Sequence, residues 1–264
     1  MVDDLVSALN RQYLKVRQQY RHLQAWTATL ARTSLPEPRF VLFGRGRSGT
    51  SLLISLLDSL PSLHCEGEIL HDYVPFPHTH VLGRSARSHS GGYGFKLLSY
   101  QVRDVQTALE SPKTVLRTLH HDDGFQVLYL RRTNLLRHAL SNIRARRDTF
   151  HRTGDAASPS RPALHVDPEH VVEWMRSSEA LATYEHALLE DVPHLSLTYE
   201  ENLRDPDAHQ STVDTVCEYL DIEPAPVETS HQKLAPRSLR AGVANYDELA
   251  HHLRATPYEQ YLNE

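Results

Sequence analysis

The sequence contains little cysteine, no excess of positive charge and no long hydrophobic run. Only two cysteines occur among the 264 residues, Cys65 and Cys217, and they form no spacing motif. This scarcity argues against a disulfide-stapled scaffold or a cysteine-based metal site, and it is typical of a reducing compartment. The formal net charge of -5 argues against a general binder of nucleic acid or other polyanions. An anion site in this protein must therefore be local.

No apolar stretch approaches the roughly 18 residues that a membrane-spanning helix requires. The first ten residues, MVDDLVSALN, contain acidic residues and no apolar core, which is unlike a signal peptide. We therefore predict a cytoplasmic protein without membrane insertion. Histidine is abundant, at 18 residues, but the histidine pairs lack a third ligand at a metal-binding spacing. We predict no metal site.

An amphipathic helix is predicted at the start of the sequence. Apolar residues recur at intervals of three and four between residues 3 and 31. We assign residues 1–34 to this helix and residues 35–264 to a single domain. Docking of the helix on that domain is the preferred interpretation. The alternative is a short coiled coil that joins two copies into a homodimer.

The remaining sequence alternates between strand-like and helix-like segments. Strands are predicted at 40–43, 94–98, 125–130 and 194–198, and helices at 52–57, from 134 to about 147, from 168 onward and at 210–220. This rhythm predicts an α/β fold, with a central parallel sheet covered by helices on both faces. Two stretches, 72–93 and 147–166, do not follow it and are predicted to be long irregular loops that recognise the substrate.

A glycine-rich loop lies between the first strand and a wholly apolar helix. Its sequence is Gly44-Arg-Gly-Arg-Ser-Gly-Thr-Ser51, and Gly44 and Gly49 have the spacing of a Walker A loop. Backbone N–H groups in such a loop converge on an anion at the helix N-terminus. No lysine follows Gly49; the cation is Arg47, two residues earlier. A later strand ends in two arginines instead of a magnesium-binding acid, so we predict an anion site that needs no Mg²⁺.

These motifs resemble those of sulfotransferases that use 3′-phosphoadenosine 5′-phosphosulfate (PAPS). The segment Gly46-Arg-Ser-Gly-Thr-Ser-Leu-Leu53 is similar to their 5′-phosphosulfate loop, and the segment from Leu130 to Ser141 to their 3′-phosphate motif. Residues 226–262 look like the C-terminal segment of bacterial carbohydrate sulfotransferases, nearest to the trehalose and nodulation-factor enzymes. The resemblance implies a three-layer fold of the P-loop NTPase type, PAPS as cosubstrate, PAP as product and no metal.

By this resemblance, the 5′-phosphosulfate is bound by the loop residues Arg45, Gly46, Arg47, Ser48, Gly49, Thr50 and Ser51. Arg47 is expected to offset negative charge that develops on the leaving phosphate. Arg132 and Ser141 match the 3′-phosphate pair, and Arg240 is a third candidate. Arg131 is the alternative to Arg132, because neighbouring residues of a strand face opposite ways.

The segment His64-Cys-Glu-Gly-Glu68 follows the apolar helix. The resemblance places a general base in this segment and matches it to Glu68, with Glu66 as the competitor. Lys96 is expected to reach the transferred group, or else to extend its amine out of the end of the sheet.

The reaction implied is metal-independent, in-line transfer of a sulfuryl group to a hydroxyl or amine. The acceptor is expected to be a small molecule or a carbohydrate. The alternatives are a non-catalytic PAP-binding protein and a small-molecule kinase, which would need the missing lysine and magnesium acid.

Overall fold

Five parallel strands form the central sheet of the protein in a computed structural model. The structure describes residues 35–88, 91–106, 114–151, 162–228 and 238–262, with backbone only for 148–151. The strands are β1 (Arg39–Gly44), β2 (Leu63–Glu66), β3 (Gly92–Leu98), β4 (Phe125–Arg131) and β5 (His194–Thr198). Their order across the sheet is β2-β3-β1-β4-β5, and every neighbouring pair is parallel. The central strands are buried on both faces, as parallel sheets generally are.

Helices cover both faces of this sheet. They are α1 (Thr50–Asp58), α2 (Pro77–Ala86), α3 (Thr114–His121), α4 (Leu135–His151), α5 (Pro168–Leu189), α6 (His209–Leu220), α7 (Leu239–Gly242) and α8 (Tyr246–Arg254). Leucines of α1 and apolar residues of α6 pack on one face of the sheet, and apolar residues of α2, α3 and α5 pack on the other. A third apolar cluster joins α4 and α5 to α7 and α8. The result is a three-layer α/β fold of the P-loop NTPase type, as predicted.

The topology opens a crevice at the carboxyl ends of β1 and β4. These strands are neighbours, but the chain runs from β1 toward β2 and β3 and from β4 toward β5 on the opposite side. Ligands of open α/β sheets bind where the connections diverge in this way. The glycine-rich loop follows β1, and Arg132 follows β4. The two sequence motifs therefore meet at one place in the fold.

The predicted strands and the helices α1, α4, α5 and α6 are present at nearly the expected positions. Helix α5 begins as anticipated, because the Asp167 carboxylate accepts a hydrogen bond from the N–H of Glu169 and proline occupies the first turn. The prediction of an irregular 72–93 stretch was wrong, because it contains α2 and the first residues of β3. Strand β2 and helix α3 were missed.

The second stretch predicted to be irregular is only partly described. Helix α4 continues to His151, and Leu164 forms an isolated bridge with Val243. The predicted N-terminal helix and its role in dimerisation lie outside the described residues. Within the described ranges, no helix has the length and apolarity to cross a membrane.

Candidate active site

The glycine-rich loop enters α1 through two residues in the left-handed region of backbone conformation. Arg47 has φ 66° and Gly49 has φ 92°. Such a φ is uncommon for an arginine, and backbone strain of this kind concentrates at functional sites. A side chain on Gly49 would bring its Cβ to 2.8 Å from the ring of Tyr199. Only glycine fits this position, which caps the N-terminus of α1.

Two hydroxyl residues of the loop, Ser48 and Thr50, are buried at the start of α1. The Ser48 hydroxyl has no hydrogen-bond partner among the described residues. Buried polar atoms almost always have a partner, so one without a protein partner points to a ligand or ordered water. The first N–H groups of a helix likewise lack partners within the helix. The local chemistry therefore suits an oxyanion.

Arg45 has a different role from the one that the resemblance implies. Its guanidinium is buried against α5, where it donates to the Ser178 carbonyl at 2.9 Å and lies 3.3 Å from the Glu185 carboxylate. The Tyr129 hydroxyl donates to the same carboxylate at 2.9 Å. The Arg45 side chain thus fixes the beginning of the loop to α5, with its charge already paired.

His138 of α4 holds the next residue of the loop. Its Nε2 lies 2.8 Å from the Gly46 carbonyl, to which it donates a hydrogen bond. Burial lowers the pKa of His138 to about 3, despite the opposing effect of that hydrogen bond. The imidazole is therefore neutral at physiological pH and acts as a structural donor. Sequence reasoning missed His138, although a histidine beside the apolar stripe of α4 was a visible signal.

Arg132 lies beside the loop, and Arg131 does not. An Arg132 Nη1 donates to the Arg47 carbonyl at 3.4 Å, and the guanidinium lies over the Tyr199 ring at 4.6 Å from its centroid. Ser141 completes this group, since its Oγ is 3.4 Å from Nε of Arg47. Arg131 continues the face of Tyr129, and both arginines line a cleft of about 250 Å³ beside α5. No hydrogen bond or ring contact joins Arg131 to the loop among the described residues. Of the two candidates, the structure brings Arg132 to the glycine-rich loop of residues 44–51, called the anion loop below.

Arg240 is not brought to the loop. It is exposed on α7, where it forms a bidentate ion pair with Asp247 and lies over the Tyr246 ring at 4.7 Å. Its hydrogen bonds and ion pairs with described residues all stay within the C-terminal segment. Its predicted contact with the 3′-phosphate has no support in this geometry.

On the other side of the loop, Glu68 and Lys96 contact each other. The Lys96 ammonium lies 2.8 Å from Oε1 of Glu68 and donates to the Ser51 hydroxyl at 3.0 Å. Lys96 is buried in β3, next to β1, so the loop that leaves β1 lies within its reach. One ammonium therefore connects the first turn of α1 to the carboxylate predicted to be the base.

Two further donors hold the second oxygen of Glu68. Gln101 donates from Nε2 at 2.8 Å, and the Tyr100 hydroxyl donates at 3.3 Å. Burial and the nearby Glu68 charge raise the pKa of Tyr100, although Gln101 opposes them, so this phenol stays protonated. An ionised carboxylate has about four acceptor positions. Three are used here, and the His71 imidazole lies 3.9 Å from Oε2. The side chain is 27% exposed, so a group from solvent can still reach the carboxylate.

Glu66 is engaged elsewhere. Both of its carboxylate oxygens accept from Arg84 of α2, and Oε2 also accepts from the Tyr93 hydroxyl at 2.8 Å. Burial favours the neutral form of Glu66, but Arg84 and Tyr93 outweigh it and lower the pKa. Glu66 is a structural carboxylate that joins α2 to the edge of the sheet. It is a poor candidate for the base.

The described side chains thus form an anion-binding site with positively charged groups around the loop. The partly exposed carboxylate of Glu68 lies beside it. Within the described part of the chain, no cluster of three or more His, Cys, Asp or Glu residues is placed to hold a metal ion. The arrangement can bind an oxyanion at the loop and accept a proton from a group that approaches Glu68.

Comparison with known proteins adds little to this geometry. No protein-family model and no curated protein matches the sequence. Among solved structures, the chain is similar to the "Sulfotransferase Domain from the Curacin Biosynthetic Pathway", with 12% sequence identity and a TM-score of 0.40. The similarity covers 72% of this chain and 76% of that one.

Proposed function

We propose that this protein is a PAPS-dependent sulfotransferase that acts on a hydroxyl or amine of a small molecule or carbohydrate in the cytoplasm. The observation that carries the proposal is Lys96, whose ammonium contacts both the anion loop at Ser51 and the carboxylate of Glu68. Transfer between a bound oxyanion and an acceptor needs these two functions side by side. The proposed acceptor class rests on the resemblance of the C-terminal segment, residues 226–262, to that of bacterial carbohydrate sulfotransferases.

The residues present fit the two anionic ends of PAPS. The Ser48 hydroxyl and the N-terminus of α1 would hold the 5′-phosphosulfate. Arg132 and Ser141, linked by the Arg47 backbone and side chain, would hold the 3′-phosphate. Guanidinium groups suit this task because their planar donors match phosphate oxygens. PAPS supplies an activated sulfuryl group, joined through an oxygen to a phosphate.

The residues of the chain divide the remaining work. Glu68 takes the acceptor proton as the new S–O or S–N bond forms, and the bond between sulfur and the leaving phosphate oxygen breaks. Arg47 and Lys96 offset the negative charge that grows on that oxygen. Arg45 and His138 keep the loop in place, the first through Glu185 and the second through the Gly46 carbonyl. The transfer that we propose uses neither a metal nor a redox partner.

Calorimetric titration with PAP tests this function, first without metal and then with Mg²⁺, with ATP as the comparison ligand. We expect metal-independent PAP binding that is much tighter than ATP binding. Arg132→Ala should weaken PAP binding by about tenfold or more, because a charged hydrogen bond is lost. Arg131→Ala is the matched control and should bind PAP like the wild type.

Two results would reject the assignment. ATP binding that depends on Mg²⁺, without PAP binding, would favour a kinase. PAP binding without any transfer from radiolabelled PAPS to a broad acceptor panel would favour a non-catalytic PAP-binding protein. Transfer to at least one sugar, hydroxylated or amine acceptor completes the expected result.

A further inference from the structure

The turn Tyr199–Leu203, which follows β5, places a carboxylate next to Arg132. Oε1 of Glu200 lies 3.6 Å from Nε of Arg132. The same carboxylate accepts hydrogen bonds from the N–H groups of Thr133 at 2.9 Å and Asn134 at 3.2 Å, where α4 begins. Glu200 therefore caps α4 while it faces the arginine. Two backbone donors fix its position, so it is part of the scaffold.

Arg132 is held on three sides. Glu200 forms an ion pair with the buried Nε, which makes no hydrogen bond with the described residues, the Arg47 carbonyl accepts from Nη1, and the Tyr199 ring lies against the plane of the guanidinium. Its Nη2 has no acceptor among the described residues. A guanidinium fixed in this way loses little side-chain entropy when it binds a planar pair of oxygens.

The turn also reaches the loop itself. Tyr199, the residue before Glu200, is the side chain that limits Gly49 to glycine. The dipeptide Tyr199-Glu200 thus contacts the start of α1, the start of α4 and the arginine between them. Neither residue belongs to the glycine-rich loop, to the 3′-phosphate motif or to the C-terminal segment.

We propose that Glu200 is a positioning residue that sets Arg132 for a 3′-phosphate, and that it thereby gives the site its preference for adenosine 3′,5′-bisphosphates over adenosine 5′-phosphates. This rests on the proposed function. The negative charge of Glu200 opposes a nearby phosphate, so the geometric benefit must exceed that repulsion. Glu200→Gln removes both effects: the loss of positioning weakens PAP binding, and the loss of repulsion strengthens it. The direction of the change in PAP affinity therefore shows which effect is larger.

The test is calorimetric titration of wild type and Glu200→Gln with PAP and with AMP, two ligands that differ only in the 3′-phosphate. We expect wild type to prefer PAP. Glu200→Gln should weaken PAP binding by about tenfold and leave AMP binding unchanged, because only the 3′-phosphate contact depends on Arg132. Glu201→Gln is the control: it removes the neighbouring charge, whose carboxylate binds the Thr198 hydroxyl at 3.0 Å, and should keep the PAP preference.

A double-mutant cycle then asks whether Glu200 acts through Arg132. In the Arg132→Ala background, Glu200→Gln should have no further effect on PAP binding. AMP binding reports whether each variant is folded. If the glutamine variant does not fold, Glu200→Asp replaces it, since it keeps the charge and a helix cap but shortens the reach to Arg132.

Three outcomes would overturn the inference while leaving the sulfotransferase proposal intact. Unchanged or tighter PAP binding by Glu200→Gln would mean that Glu200 does not position Arg132 or mainly repels the phosphate. Equal loss of PAP and AMP binding would mean that the turn is only structural. Additive effects in the cycle would mean that Glu200 acts independently of Arg132. Failure of wild type to bind PAP would reject both proposals.

Discussion

Glu66 and Glu68 stand two residues apart at the end of β2, and their carboxylates have very different surroundings. Glu66 accepts two hydrogen bonds from Arg84 of α2 and one from Tyr93 of β3, and these partners lower its pKa. Glu68 lies beside the anion loop, where Lys96, Gln101 and Tyr100 contact it, and its side chain is 27% exposed, against 17% for Glu66. One carboxylate is bound into the structure of the sheet edge. The other is held in place yet can still accept a proton.

This difference shows that burial and charge alone do not distinguish the proposed general base from a neighbouring carboxylate. Both carboxylates are partly buried, and both form ion pairs. What separates them is the partner: Arg84 belongs to α2, whereas Lys96 also contacts a residue of the anion loop. The partner therefore separates the carboxylate that we propose as the base from its neighbour.

Replacing the two carboxylates one at a time should give the largest contrast. Glu68→Gln is expected to lower sulfuryl transfer by about 10²–10⁴, because a general base typically contributes that factor. Its PAP affinity should stay near that of wild type. Glu66→Gln should keep transfer within the range of wild type. The rates are measured with radiolabelled PAPS and an acceptor found in the panel. Equal losses in both variants would remove Glu68 from the mechanism.

Replacing their cationic partners should separate stability from activity. Arg84→Met leaves Glu66 with the Tyr93 hydroxyl as its remaining hydrogen-bond donor and His64 at 3.9 Å. It should lower the free energy of unfolding by about 1.5–3 kcal/mol, the usual value of a charged hydrogen bond. Transfer by the folded variant should be unchanged. Lys96→Met should mainly lower the rate, because Glu68 keeps two donors and contact with water. Urea unfolding and transfer assays on both variants check this. A larger rate loss in Arg84→Met would contradict the division.

The sequence was sufficient for the fold and for the elements that carry long apolar runs. Strand β2 was missed because it has four residues at the edge of the sheet, of which only Leu63 is buried. Helix α2 was missed because its stretch is rich in polar residues, and several of them, such as His80 and Ser85, are buried in it. Patterns of apolar residues do not detect a helix of that kind.

Within the site, the sequence correctly predicted that residues at the ends of strands, such as Arg132 and the glycine-rich loop, lie near one another. It did not identify His138 and Glu200, which contact those residues. The position of Arg45 could have been predicted from strand alternation. Arg45 continues the face of Phe43, which packs toward α5 and away from α1. Glu200 follows β5 by two residues, at the same edge of the sheet as the loop. The contact between Glu200 and α4 depends on the order of the strands, which periodicity does not supply.

The smallest effect expected is the dependence of stability on pH through Glu66. Its pKa is lowered from the ordinary value of 4.5 in the folded state, so the ionised form favours folding. That contribution is fully present above the unfolded pKa and is lost as the pH falls through the folded one. The difference in unfolding free energy between wild type and Glu66→Gln should therefore be constant near neutral pH and shrink below 4.5. We expect a change on the order of 1 kcal/mol, since the pair is partly exposed. Urea unfolding across this range measures it, and a difference that grows on acidification would mean that Arg84 and Tyr93 do not stabilise the charged form.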